Sequence, residues 1–136
     1  MSIVLDRVLA EDIPALWPHL KPLFARACDA DPTGLTPDQI RDDALAGKRL
    51  IWTLADRDRT PPLIAAFSTA DDGDTVNIGP LAGDDMETWL PLLAELERHA
   101  KEAGFTATHI EGRIGWTKVL RAYGYQPVRI SLKKVL

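Results

Sequence analysis

This chain predicts a single α/β (α+β) domain: a central mixed sheet with helices on both faces, in the order βααβββαβαβ. Three observations predict it. Short runs rich in Ile, Val and Leu alternate with segments whose apolar residues recur at helical spacing. Asp71-Asp72-Gly73-Asp74 is a hairpin signal between two such runs, so part of the sheet is antiparallel. A long amphipathic segment over residues 84–103 joins the fourth and fifth strand runs, which is what a right-handed parallel crossover needs. No repeat or linker interrupts the 136 residues, so residues 1–136 are read as one domain.

Taken in order, residues 3–9 are the first strand. Pro14, Pro18 and Pro22 follow at intervals of four. Each interior proline removes a hydrogen bond, so a short or kinked helix is expected, then a better one over residues 20–30. Trp17, Leu20, Phe24 and Ala27 share one helical face and are candidate core residues. Thr36-Pro37-Asp38-Gln39 is a helix start, with Thr36 as cap, Pro37 at the first position and Gln39 reaching back; that helix stops at Gly47. Strands are expected over residues 50–55, 63–69 and 75–81. Gly79-Pro80 interrupts the last of these and should splay it from the fifth strand, residues 106–111.

In the long helix, Trp89, Leu93, Leu96, Ala100 and Ala103 form an apolar stripe ending at Gly104. A short helix over residues 115–122 carries Trp116, Val119, Leu120 and Tyr123 at core spacing, and Gly124 closes it. Trp89 and Trp116 are expected as core anchors. The alternation of Val128, Ile130 and Leu132 predicts a last strand over residues 125–135.

Composition narrows the function classes. No apolar run nears the roughly 18 residues of a membrane span, and Met1-Ser2-Ile3-Val4-Leu5-Asp6 lacks the basic region of a secretory signal. Cys28 is the only cysteine, so no internal disulfide forms and a reducing, cytoplasmic setting is expected. A net charge of −4 argues against a nucleic-acid binder. Residues 113–136 nevertheless hold Arg113, Lys118, Arg121, Arg129, Lys133 and Lys134 and no acid. That stretch reads either as a solvated basic face or as a patch for an anionic ligand. His19, His99 and His109 have no spacing that suggests a metal site.

The segment Arg113-Ile114-Gly115-Trp116-Thr117-Lys118-Val119-Leu120-Arg121-Ala122-Tyr123-Gly124-Tyr125, with the element order, resembles the GCN5-related N-acetyltransferases. Members of that family often carry Asn-x-x-Ala-x-x-Leu-Tyr-x-Lys-x-Gly-Phe before a final strand. Glu111-Gly112-Arg113 with Gly115-Trp116 and Tyr123-Gly124-Tyr125 is also similar to family-like proteins encoded among phage genes. The resemblance implies acetyl-CoA as cosubstrate and direct attack of an amine, on a small molecule or a protein, at the thioester. It implies backbone contacts from Ile78, Gly79 and Leu81 to pantetheine, and from Ala82 and Gly83 to phosphate. Arg113, Lys118 and Arg121 are the candidate cations for the cofactor. Glu111 is a candidate general base, its alternative being an ion pair with Arg113 or a nearby lysine.

The chain departs from the family pattern in two places. Where the family has Gln/Arg-x-x-Gly-x-Gly/Ala, this chain has Pro80-Leu81-Ala82-Gly83-Asp84-Asp85. Two carboxylates stand where a helix start would receive diphosphate, a repulsion of about 1 kcal/mol or more. Leu120 takes the place of the family's proton-donating Tyr, and Tyr123 is the candidate substitute. The expectation is weak acetyl-CoA binding, with a Kd no better than about 100 μM, or about −5.5 kcal/mol. The alternative is a fold that has lost catalysis and binds protein partners in an assembly, including a phage particle.

Overall fold

Five strands join edge to edge in chain order in the computed structural model, which describes residues 3–29, 34–58, 60, 62–79, 90–110, 116–128, 132 and 134–136. They are β1 (Ile3–Val8), β2 (Leu50–Asp56), β3 (Leu63–Asp72), β4 (Thr75–Ile78) and β5 (Ala107–Ile110). The first four pair antiparallel, and β5 lies parallel to β4. The predicted hairpin is present: β3 and β4 meet at Asp72 and Thr75, with Gly73 and Asp74 as the turn. The predicted crossover is present too, since a parallel neighbour cannot be reached by a hairpin.

The first helix differs from the expectation. It is one uninterrupted element, α1 (Ile13–Asp29), with Pro18 and Pro22 inside it. The reason is where the prolines point. Pro14, Pro18 and Pro22 are all exposed, while Ile13, Trp17, Leu20, Phe24 and Ala27 are buried. The carbonyls left without an N–H partner therefore lie on the wet side, where water can bond them. Proline on the solvent side also favours curvature convex to water, the way surface helices wrap a core.

Helix α2 (Pro37–Leu45) begins as predicted. The Thr36 hydroxyl accepts from Gln39 N at 3.2 Å, and Thr36 N donates to Gln39 Oε1 at 2.9 Å. The crossover contains a 3₁₀ turn, Leu90–Leu92, and α3 (Leu93–Glu102). Pro91, with no N–H to give, sits in that turn ahead of the helix. The rest of the expected long helix, with Trp89, lies outside the described residues. Helix α4 (Trp116–Arg121) follows β5. The side-chain environment of Trp116 also lies outside the described residues.

Helices α2, α3 and α4 stop in the same manner. Gly47, Gly104 and Gly124 take φ of 78°, 96° and 88°, and the residue after each donates to a carbonyl five residues back. Only glycine reaches this left-handed cap without strain. At α4 the bond runs from Tyr125 N to Leu120 O at 3.2 Å, which carries the chain back over the helix and places Tyr125.

The sheet separates two apolar layers. On one face Val8, Ile51 and Ala66 pack with Ile13, Trp17, Leu20 and Phe24 of α1 and Ile40 and Ala44 of α2. On the other, Leu5, Trp52, Leu54, Phe67 and Ile78 pack with Leu93 and Leu96 of α3 and Leu120 of α4. Helices thus cover both faces, as expected. Residues 125–128 do not form the start of the predicted last strand. Pro127 has no N–H for a ladder, and Val128 and Leu132 are exposed rather than alternating into a sheet face. Arg129, Ile130, Ser131 and Lys133 lie outside the described residues.

Candidate functional site

Strands β4 and β5 run parallel, and their last described pair is Ile78 with Ile110, toward the carboxyl end of both strands. In open α/β sheets that end, at the carboxyl termini of parallel strands, is where ligands bind. Beyond Ile78, Gly79 leaves the ladder to β5 but keeps its hold on β3. Gly79 N donates to Ser68 O at 2.9 Å, and the Ser68 hydroxyl donates to Gly79 O at 2.7 Å. Gly79 has φ of 152°, a value that side-chain-bearing residues rarely adopt. Whether the chain beyond Gly79 splays from β5, as expected, turns on residues 80–82 and 111–112, which lie outside the described residues.

The predicted site residues fall into three groups. Ile78 is fully buried in the core layer and paired on both sides. Gly79 has both backbone groups bonded to Ser68. Lys118 and Arg121 are exposed on α4, three residues apart and so on adjoining turns of one side, and Tyr123 just beyond the helix is exposed as well. Of the residues expected at core spacing here, Leu120 is buried, whereas Val119 and Tyr123 are exposed because they lie on the outer side of the helix and its cap. Leu81, Ala82, Gly83, Glu111 and Arg113 lie outside the described residues.

Two polar clusters near these strands were not anticipated. The first runs through Ser68, which is fully buried and accepts from Arg49 Nη1 at 3.2 Å. Arg49 Nε lies 3.6 Å from Asp43 Oδ2 of α2. The sequence signal was a serine in the inward register of the apolar run Leu63–Thr69. Arg49 gave none, because its partner is 19 residues away.

The second cluster holds β5 to α3. The Tyr125 hydroxyl donates to Glu97 Oε2 at 2.7 Å and lies 2.9 Å from Thr108 Oγ1. A phenol has one proton, here given to the carboxylate, so the Thr108 hydroxyl is the donor in the second bond. Burial pushes the Tyr125 phenol well above its ordinary range. The Thr108 bond opposes that shift, and the bond to Glu97 and its negative charge add to it. The unfolded phenol ionises near about pH 10. The folded protein keeps its proton there, so the stability this group lends is intact below that pH and is lost as pH rises above it. The chain has two tyrosines. In Tyr123→Phe, Tyr125 is the only phenol left, and tyrosinate absorbance should appear together with loss of the native circular dichroism. Reversible ionisation near pH 10 in a folded protein would contradict this.

No family model matches the sequence, and no curated protein matches it. Solved structures do match the fold. An acetyltransferase of Trypanosoma brucei superposes with a TM-score of 0.65 at 13% identity, covering 99% of this chain and 100% of that one. Glucosamine-6-phosphate N-acetyltransferase from Arabidopsis thaliana gives 0.61 at 12% identity, with 99% of each chain covered. A predicted acetyltransferase from Clostridium acetobutylicum, solved with acetyl-CoA, gives 0.62 at 13% identity, covering 98% of this chain and 96% of that one. The chain therefore has the fold of the GCN5-related N-acetyltransferases, over essentially its whole length. At these identities the likeness speaks for architecture, and chemistry must be argued from the residues.

Proposed function

We propose that the protein is an N-acyltransferase that takes acetyl-CoA, or a related acyl-CoA, at low affinity and passes the acyl group to a small amine. The observation that carries this reading is the parallel pairing of β4 with β5 from Thr75 and Ala107 to Ile78 and Ile110, within a fold whose solved relatives are acetyltransferases. The amine nitrogen attacks the thioester carbon, the C–N bond forms, the C–S bond breaks, and the thiolate leaves. Glu111 takes the proton lost by the amine, and Tyr123 protonates the thiolate. The exposed cations Lys118 and Arg121 are the described groups available to the cofactor's phosphates. A small amine acceptor is favoured by analogy with the relative named for glucosamine-6-phosphate.

One observation favours a second reading, a fold that binds partners without catalysis. Leu120, where the resemblance puts the proton donor, is packed in the core and cannot turn to a ligand.

Calorimetric titration with acetyl-CoA at low salt tests the proposal. The expected wild-type Kd is no tighter than about 100 μM. Asp84→Gly/Asp85→Gly, which removes two like charges from the sequence where diphosphate is expected, should tighten it by about tenfold. Thiol release should then depend on added amine. Low-micromolar binding by the wild type would overturn the repulsion. Absence of binding in both proteins at millimolar acetyl-CoA would leave the non-catalytic reading.

A further inference from the structure

From the bonds that converge on Gly79, we infer that Ser68 and Arg49 are positioning residues that set how the chain leaves β4, and through it the affinity for acyl-CoA. The inference rests on the acyltransferase reading.

Ser68 is a hydroxyl in a fully buried position, facing the layer that contains Ile51 and Ala66. An apolar residue would fill that place without polar atoms to satisfy, and a buried hydroxyl is tolerated only when bonded. Its bonds are used at one spot. The hydroxyl proton goes to Gly79 O at 2.7 Å, and Ser68 O receives Gly79 N at 2.9 Å. Both polar groups of Gly79 are thus held by a single residue of β3, at the first position past the last described β4–β5 pair.

Arg49 strengthens this clamp. Its guanidinium donates to the Ser68 oxygen at 3.2 Å, and a hydroxyl that accepts from a cation is a better donor in turn. Arg49 is itself mostly buried and is steadied by Asp43 of α2 across 3.6 Å. A line of contacts therefore runs from α2 through Arg49 and β3 to the end of β4. A change in it would tilt the Gly79 peptide and redirect the chain that follows. Neither Ser68 nor Arg49 needs to touch a ligand for this.

Ala and Thr at residue 68 separate the hydroxyl from packing. Alanine fits the space and lacks the hydroxyl; threonine keeps the hydroxyl and crowds the site. Two-dimensional amide NMR reads both the Gly79 N–H and weak binding of acetyl-CoA. Ser68→Ala keeps the main-chain carbonyl that receives Gly79 N but frees Gly79 O, so the loosened Gly79 amide should exchange faster, and the acetyl-CoA Kd should rise about tenfold, equivalent to about 1.4 kcal/mol. Ser68→Thr should melt at a lower temperature yet keep the wild-type Kd. Arg49→Met, which leaves the serine in place, should raise the Kd in the same direction by a smaller factor, and it carries the test should Ser68→Ala not fold. Folded Ser68→Ala or Arg49→Met protein binding acetyl-CoA within about twofold of wild type would overturn the inference, as would a Ser68→Thr that binds as poorly as the alanine variant. Failure of the acyltransferase reading shows elsewhere, as a wild-type spectrum that millimolar acetyl-CoA does not move, and the inference then falls with it.

Discussion

Phe24→Ala should lower the free energy of unfolding by about 3–5 kcal/mol, the range for truncating a large buried aromatic. Phe24 has no exposed surface. Its ring stacks on Trp17 at 5.9 Å, and its layer joins α1 to Ile40 and Ala44 of α2 and to Ile51 and Ala66 of the sheet. Truncation therefore opens a cavity where three elements meet, and it strips Trp17 of its stacked neighbour. Natural domains have about 5–15 kcal/mol to lose, so the variant should be visibly close to unfolding. Phe24→Leu, which keeps most of the volume, should cost less than about 1.5 kcal/mol. Urea unfolding by circular dichroism reads both, with an unchanged denaturant slope showing that the folded and unfolded states have kept their compactness. A loss below about 1 kcal/mol for Phe24→Ala would mean that the α1 layer repacks freely.

The stripe containing Phe24 was legible because burial on a helix is a periodic property: Trp17, Leu20, Phe24 and Ala27 announce the face whatever else the helix contains. The continuity of α1 was not legible by the same route. A local rule counts the bond each proline removes, but the cost depends on whether the orphaned carbonyl faces water or core. Tertiary placement decides that. Helix ends were readable at Thr36, Gly47, Gly104 and Gly124, since caps are settled within five residues.

The candidate site was legible only in outline. Gly79-Pro80 marked where β4 should leave the sheet, and Gly79 proved to be held by Ser68, 11 positions back across a hairpin. The Arg49 contact spans 19 positions, and the bond from Tyr125 to Glu97 spans 28. Such partners have no sequence pattern, because any polar residue with the right reach would serve. Tyr125 illustrates the opposite error: its place in an alternating run suggested a strand, while the cap at Gly124 turned it inward to pair with two side chains.

Trp52→Ala should cost about 3–5 kcal/mol as well, and the indole allows the loss to be divided. Trp52 is buried in the other core layer. Its N–H donates to Thr69 Oγ1 of β3 at 3.0 Å, and His99 of α3 lies over the ring at 5.7 Å. The side chain therefore ties two strands to the crossover helix that follows β4. Trp52→Phe keeps an aromatic ring in the layer and removes the donor, leaving the Thr69 hydroxyl buried without this partner. Desolvation of that hydroxyl should make the variant less stable by about 1–3 kcal/mol, beyond the cost of the smaller ring. Thr69→Val alone leaves the indole N–H unpaired and should cost a similar amount. In the double variant neither polar group remains, so the two penalties should not add: Trp52→Phe/Thr69→Val should be more stable than the sum of the single losses predicts by about 1 kcal/mol or more. Strict additivity within about 0.3 kcal/mol, measured by urea unfolding of all four proteins, would show that the bond contributes no coupling and that Trp52 acts through its packing alone.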